Sequence, residues 1–379
     1  MIPFNKPYMT GKEMHYIYDA VYSGKISGDG KYTKKCQKYF EEKYEFKKCL
    51  LTTSCTDALE MAAILLNIDS NDEVIMPSFT FVSTANAFVL RGAKIIFCDS
   101  RNDHPGMNEN DIESLITEKT KAIVVVHYAG VACDMDRIMD IAQKHNVYVI
   151  EDAAQAIDSY YYSEKQQKKL ALGSIGHLAA LSFHETKNII SGEGGMLIVN
   201  EENFIERAEI IWEKGTNRTA FYRGEIDKYG WVDIGSSFLP SDLIAAFLWA
   251  QLENLNLIQE RRKEIWNFYF NTLSDWAIKN KIILPKIPNY ASNNAHMFYL
   301  IFNSLAERQN FIDQLKQKNI FSVFHYQSLH ESEFYAKKNT NELKILENCK
   351  TYSDKLLRLP FYYEINESKV VESILEIEL

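Results

Sequence analysis

The sequence has no uninterrupted apolar stretch approaching 18 residues, so no membrane-spanning helix is expected. It has no CxxC pair either. Its six cysteines (Cys36, Cys49, Cys55, Cys98, Cys133 and Cys349) are scattered without a zinc-like cluster. In a chain of this size they read as reduced, unpaired thiols in the cytosol, with no disulfide framework and no metal. Basic residues are in deficit: 42 Lys and Arg against 51 Asp and Glu leave a net charge of -9, which argues against general affinity for DNA or RNA. The amino terminus, MIPFNKPYMT, lacks the charged segment and apolar run of a signal peptide. No GxGxxG follows the first strand-like run, which counts against a Rossmann-type dinucleotide site, and no internal repeat is visible.

What is present is the balance of a soluble globular protein, 46% hydrophobic and 25% charged. A length of 379 residues suits one large domain with a smaller companion. Between about residues 48 and 200, apolar strand-like runs alternate with amphipathic helical patterns. The runs are Cys49 to Thr52, Glu73 to Met76, Lys94 to Cys98, Ala122 to His127, Val147 to Ile150, Leu178 to Phe183 and Met196 to Val199. Helical spacing over Thr56 to Leu66 places Leu59, Ala62, Ala63 and Leu66 on one face, and Asp134 to His145 repeats the pattern. Continuous apolar strands separated by such helices predict an α/β domain with a mostly parallel sheet between helices. That large domain is assigned to residues 1–240, a connecting helix, long or bent, to 241–280, and a small α+β domain to 281–379. The smaller unit is read as strands at His296 to Phe302 and Phe321 to Tyr326 around a helix at Leu305 to Lys318. The polar stretch YYYSEKQQKKLA from Tyr160 is read as an exposed loop.

Three segments of the large domain carry chemistry. The run Val147 to Ile150 leads into Glu151, Asp152, Ala153, Ala154 and Gln155, and ligands of open parallel sheets bind outside the carboxyl ends of strands. A helix cap or solvated turn is the plain alternative there. In LSFHETKNIISGEGGMLIV, Lys187 follows a strand end near Ser182 and precedes Gly192, Gly194 and Gly195. Alone it reads as a solvated charge. With Asp152 it meets the two demands of pyridoxal 5'-phosphate (PLP), a lysine for the aldehyde and an acidic partner for the ring nitrogen, while Ser182 can donate to the phosphate. In LLTTSCTDALEMAAILL, a turn of small polar residues opens a helix whose first amides, with Ser54 or Thr56, suit an anion; a simple cap is the compatible alternative. Phe81, in PSFTFVSTANAF, is either a ring-stacking aromatic or core.

Taken in order, SCTDALEMAA, DEVIMPSFTFVSTANAFVLRGAKIIFCD, EDAAQA, SFHETKN and GEGGM resemble the DegT/DnrJ family of fold type I sugar aminotransferases, a likeness that continues to the carboxyl terminus. The resemblance implies a PLP enzyme with Lys187 as the Schiff-base lysine and Asp152 as partner of the pyridine nitrogen. Gln155 would sit by the ring hydroxyl, Phe81 would take the stacking position, and Thr56, Asp57 (through its backbone amide) and Ser182 would hold the phosphate. It further implies a homodimer in which a polar residue reaches the neighbouring site; GSSFLPSDLIAA departs from the commoner GYNYRMSELQAA and places Ser237 at that position. Residues 160–169 are extra relative to the family pattern and are read as a surface insertion. The stretch FSVFHYQSLH resembles the family's HY-x-x-LH near the sugar site, nominating His325, Tyr326 and His330, with satisfied, half-buried strand positions as the plain alternative for the first two.

More narrowly, MIPFNKP, SGDGKYT, VHYAGVACDMD, EKGTNR, DKYGWVDIGSS and NAHMFYL are similar to a branch of the family that uses L-glutamate to aminate dTDP-4-keto-6-deoxy-D-glucose. The products implied are dTDP-4-amino-4,6-dideoxy-D-galactose and 2-oxoglutarate, for surface polysaccharide of the O-antigen or enterobacterial common antigen type. Alternatives are amination at C3 or of another nucleotide sugar, a PLP-dependent sugar dehydratase, and a regulator without turnover. Dehydratases of this superfamily place histidine where Lys187 stands, and His184 is not that position.

Overall fold

In the computed structural model, which describes residues 1–338 and 345–378, a seven-stranded sheet forms the frame. Its strands are β1 (Lys48–Thr52), β2 (Glu73–Pro77), β3 (Lys94–Cys98), β4 (Thr120–Val126), β5 (Tyr148–Asp152), β8 (Leu178–Ser182) and β9 (Gly195–Val199). They lie in the order β1-β9-β8-β5-β4-β2-β3. From β3 to β8 every pairing is parallel, and β9 runs antiparallel to both its neighbours. Each of the seven strand runs expected between residues 48 and 200 is present within a residue or two.

The period-2 alternation of a strand sorts these apolar runs onto both faces. Leu50, Val74, Met76, Val124, Ile150, Ala180 and Leu197 join one core; Leu51, Ile75, Ile123, Val125, Val149, Leu181 and Ile198 join the other. Helices α1 (Glu13–Tyr22), α2 (Lys31–Tyr44), α3 (Cys55–Leu65) and α4 (Val82–Val89) lie among those covering the sheet. The first turn of α2 is capped from far away. Asp242 accepts from Tyr32 N at 3.2 Å and from Thr33 N and Oγ1, both at 2.9 Å.

Two readings change. The stretch from Tyr160 is a hairpin, β6 (Tyr160–Ser163) with β7 (Lys168–Ala171), rather than a loop, with a polar tip between the two strands. Tyr161 is buried there, its hydroxyl donating to Asp134 Oδ1 at 3.1 Å, so alternating burial outweighed the polar composition. The connector is two helices, Asp242–Leu252 and Leu255–Asn280, parted at Glu253 and Asn254. The first contributes Ala245, Ala246 and Leu248 to a sheet core, whereas Ile265, Trp266, Tyr269 and Leu273 of the second belong to the smaller unit's core.

That smaller unit holds β10 (Tyr299–Ile301), β11 (Val323–Phe324) and β12 (Leu356–Arg358) in the antiparallel order β10-β12-β11, with Leu305–Gln317 and Glu367–Leu375 among its helices. The chain's start also packs on it: Ile2 exchanges backbone hydrogen bonds with Asn319 and Phe321. Residues 339–344 and 379 of the expected 281–379 unit lie outside the described residues.

Candidate functional site

The carboxyl ends of β4, β5 and β8 and the starts of α3 and α4 meet at a cavity of about 520 Å³, the size of an ordinary small-molecule site. Ser54, Thr56, Phe81, Thr84, Asp152, Gln155, Ser182, Lys187, His325 and Tyr326 are among its lining residues.

Strand alternation separates the two carboxylates that end β5. Glu151 is buried and satisfied: it accepts from Gly173 N (2.7 Å), Ile175 N (2.8 Å) and Gly176 N (2.6 Å), and faces His127 Nε2 at 2.9 Å. The Cys133 amide points at His127 Nδ1 from 3.3 Å, which leaves Nε2 to donate to Glu151. Asp152 faces the cavity. Its Oδ2 accepts from Thr84 Oγ1 at 2.7 Å and its Oδ1 from Ala154 N at 3.2 Å, and among the described residues no cation bonds to it. Burial pushes its pKa up, against those two hydrogen bonds and the charge of Lys187.

Lys187 sits on the turn that leaves β8. The turn is closed by Phe183 N to Gly194 O (2.8 Å) and Lys187 N to His184 O (2.9 Å). Asn188, next in sequence, is fixed by Gln259 Oε1 (2.8 Å), Asn294 O (2.9 Å) and His296 Nδ1 (2.8 Å), and so anchors the turn from behind. The Lys187 amine makes neither a hydrogen bond nor an ion pair among the described residues, and burial lowers its pKa against the opposing charge of Asp152. A larger neutral fraction makes it a better nucleophile and base.

At the opposite end α3 begins. Ser54 caps it, its Oγ accepting from Asp57 N at 3.0 Å, and Thr56 Oγ1 meets Ser83 Oγ at 2.9 Å. The amide of Asp57, expected to hold a phosphate, is thus engaged within the cap. Cys55 and Thr56 sit at the positive end of the helix beside Ser182. Gly195 permits this arrangement, because a Cβ there would lie 2.3 Å from Cys55 N.

The remaining candidates divide. Gln155 is buried, with Oε1 accepting from Ala129 N (2.7 Å) and Nε2 donating to the Tyr326 hydroxyl (3.2 Å). Phe81 lines the cavity with 54% of its surface open, and its ring centre lies 5.9 Å from that of Tyr326. The His325 Nδ1 lies 2.9 Å from the Tyr128 hydroxyl. Burial, then the charges of Arg358 and Lys187, drives the His325 pKa well down, so the ring is neutral. Two candidates stand apart from the cavity. His330 Nδ1 and its own amide engage Ser78 Oγ at 2.7 and 3.0 Å, fastening the smaller unit to the loop after β2. Ser237 is exposed and does not line this chain's own cavity. Sequence reading missed Thr84, whose visible signal is its position four residues after Thr80 in a polar helix start, and it missed Tyr128, which meets His325.

PLP fits these groups by the chemistry of the donor set. A partnerless lysine, a buried carboxylate without a bonded cation and a helix start rich in hydroxyls match its aldehyde, ring nitrogen and phosphate. A second cleft, near Glu113, Asp136, Asp140, Lys144 and Lys165, is charged, but its lysines pair with its own carboxylates.

The DegT/DnrJ/EryC1/StrS aminotransferase family model matches residues 7–377. GDP-perosamine synthase of Escherichia coli O157:H7 is 31% identical over 341 residues, covering 89% of this chain and 88% of that protein. The spore coat polysaccharide biosynthesis protein SpsC of Bacillus subtilis is 30% identical over 380 residues, covering 98% and 95%. Among solved structures, the apo form of Spr1654 from Streptococcus pneumoniae superposes with a TM-score of 0.89 at 24% identity, covering 98% of this chain and 96% of that one. The same fold is therefore present across nearly the whole chain.

Proposed function

This chain belongs to the DegT/DnrJ/EryC1/StrS aminotransferase family, and from that membership we propose that it is a cytosolic PLP-dependent enzyme moving an amino group from L-glutamate to a nucleotide-linked 4-keto-6-deoxy sugar for a surface polysaccharide. The observation that carries the reading is the partnerless Lys187 amine sharing one cavity with Asp152 and the start of α3. A Spr1654 structure described as a PLP form has the same fold, with a TM-score of 0.87.

PLP, when bound, supplies an electrophilic carbon and a ring that takes up carbanion charge. The chain's residues supply the rest. Thr56, Ser182 and the first amides of α3 hold the phosphate end. Asp152 holds a proton on the ring nitrogen, because an adjacent buried carboxylate favours the cationic form. Gln155 sits at the ring hydroxyl and Phe81 covers a ring face. Lys187 acts as a neutral base that takes the proton from the α-carbon of glutamate, and in the second half-reaction it delivers a proton to the carbon that receives nitrogen. His325 and Tyr326 contact the sugar.

The nucleotide separates two readings. The branch motifs from MIPFNKP to NAHMFYL favour dTDP-4-keto-6-deoxy-D-glucose, whereas a relative at 31% identity is named for GDP-perosamine. Supplying dTDP- and GDP-linked 4-keto-6-deoxy sugars with glutamate, and identifying the product by NMR, decides between them. No amino sugar from either would overturn both readings.

The working unit is proposed to be a homodimer with Ser237 reaching the partner's phosphate site. Support comes from a run of exposed apolar side chains, Met14, Tyr18 and Tyr22 on α1 and Trp231, Val232 and Ile234 just before Ser237. A fully active monomer in sedimentation at assay concentration would contradict it.

A further inference from the structure

Most polar groups around the cavity are committed. Ser54, Thr56 and Ser182 stand at the phosphate end, Asp152 and Gln155 at the ring, and the Tyr326 hydroxyl is bonded to Gln155. Two lining residues have no part in that chemistry: His184, three residues before Lys187, and Glu193, on the far side of the same turn. Apart from Asp152, Glu193 is the only carboxylate lining the cavity among the described residues.

The turn fixes the backbone under both. Phe183 N donates to Gly194 O at 2.8 Å, Glu185 N to Gly192 O at 2.9 Å, and Ser191 Oγ to the carbonyl of Glu193 itself at 2.8 Å. Gly192 takes a φ of +81°, and a Cβ on Gly194 would lie 2.3 Å from Ser191 Oγ, so glycine is required on either side of Glu193. The carboxylate on this set backbone is left open. Its side chain is 67% exposed, and its ion-pair partner is His184. His184 is oriented in turn: the Thr186 amide donates to its Nδ1 at 3.3 Å, and the Thr186 hydroxyl lies 2.9 Å from the same atom. An Nδ1 that accepts leaves the proton of the neutral ring on Nε2. That Nε2 faces Glu193 Oε1 across 3.7 Å. The gap is too long for a direct hydrogen bond, but an oxygen about 2.8 Å from each atom completes a triangle over it. A hydroxyl there accepts from the imidazole and donates to the carboxylate at once.

Charge narrows the choice of ligand. The cofactor's phosphate, the carboxylates of the amino donor and the diphosphate of a nucleotide sugar are all anions, which a carboxylate repels. The neutral sugar ring remains. In a 4-keto-6-deoxy sugar the ketone has two ring neighbours, C5, which bears the methyl group, and C3, which bears a hydroxyl. We propose that Glu193 and His184 form the receptor for the C3 hydroxyl, Glu193 accepting and His184 donating, and so present C4 to Lys187 on the same turn. This rests on the aminotransferase reading above and names the part of the sugar that the rim of the cavity distinguishes.

The test is calorimetry on the PLP-loaded protein without an amino donor, where a keto-sugar binds and no amino group is available for transfer. The probes are dTDP- and GDP-linked 4-keto-6-deoxy sugars and their 3-deoxy counterparts. Wild-type protein is expected to bind the hydroxylated sugar of the preferred nucleotide about 10-fold or more tightly than its 3-deoxy counterpart, the scale of a hydrogen bond to a charged group. Glu193→Ala should abolish that preference, weakening the hydroxylated sugar about 10-fold while the 3-deoxy sugar moves by less than about threefold. His184→Phe should lose part of the preference, and His184→Gln, which keeps a donor, should recover some of it. The Tm and the cofactor absorbance of Glu193→Ala should match wild type, since the exposed carboxylate holds no other group. Equal weakening of both sugars overturns the proposal and places Glu193 at the nucleotide or in support of the turn. So does an unchanged preference, which would leave a solvated charge at the rim, and so does a loss confined to glutamate saturation, which would match the carboxylate to the donor's ammonium. A wild-type protein that aminates a keto-sugar yet binds it no better than the 3-deoxy form fails this proposal alone. One that binds and aminates none of them fails the aminotransferase reading, and the proposal with it.

Discussion

The floor and the inner wall of the cavity are built in opposite ways. The floor comes from strand ends and helix starts between Ser54 and Lys187, every member set by the frame of one sheet. The wall comes from His325 and Tyr326, which directly follow the short strand β11 of a separate three-stranded sheet fastened to the floor by contacts such as His330 on Ser78 and Cys349 N on Asp99 Oδ1 at 2.8 Å. The difference teaches a division of labour. On the proposed function, groups common to both halves of a transamination sit on the floor, and the groups it assigns to the sugar, His325 and Tyr326, sit on the wall.

The sharpest way to break that division is at Asp152. Asp152→Asn should cut turnover by about two orders of magnitude or more, and both half-reactions equally, while PLP stays bound through its phosphate contacts. The same change carries a signature in stability. Burial raises the folded pKa of Asp152 above its unfolded value, so between those two values the folded state binds more protons. Stability of the cofactor-free protein therefore falls as pH rises through that window, and thermal melts of Asp152→Asn should lack this part of the slope. Near-native turnover in the variant would remove Asp152 from the chemistry.

Gly195→Ala tests the floor's geometry with a smaller effect. The added methyl meets the Ser54–Cys55 peptide and must push the start of α3 aside, at a cost of about 1–3 kcal/mol. Equilibrium dialysis should show PLP affinity weakened by roughly tenfold, as expected if that loss falls on the phosphate site. His325→Ala tests the wall and should be the mildest. It should raise KM or lower kcat for the keto-sugar alone, by several-fold, with the glutamate half-reaction almost intact. Equal damage to both would move His325 to the floor's side of the comparison.

The floor was legible in the sequence because its parts are local. A strand end and the turn that leaves it occupy neighbouring positions at Thr52 to Thr56, Ile150 to Gln155 and Ser182 to Lys187, and in the first of these a helix starts, so the side-chain chemistry and its placement are read together. The wall was less so. His325 and Tyr326 were nominated by resemblance, and both line the cavity, but His330 in the same stretch is turned to Ser78. The 160–171 segment was misjudged for a related reason: a polar tip hid two strands whose alternate residues, such as Tyr161 and Ser163, are buried.

The central claim is that Lys187 is the residue to which PLP attaches, and borohydride reduction of the PLP-loaded protein followed by peptide mass spectrometry tests it most directly. Burial lowers the pKa of the Lys187 amine, so its buried charge weighs on the fold below the folded pKa and that cost is relieved as pH rises through it. The amine is thus reactive at a pH where surface lysines are still protonated. The account predicts one stable pyridoxyl adduct, on Lys187, and none in Lys187→Ala. An adduct on any other lysine of the wild-type protein would contradict it.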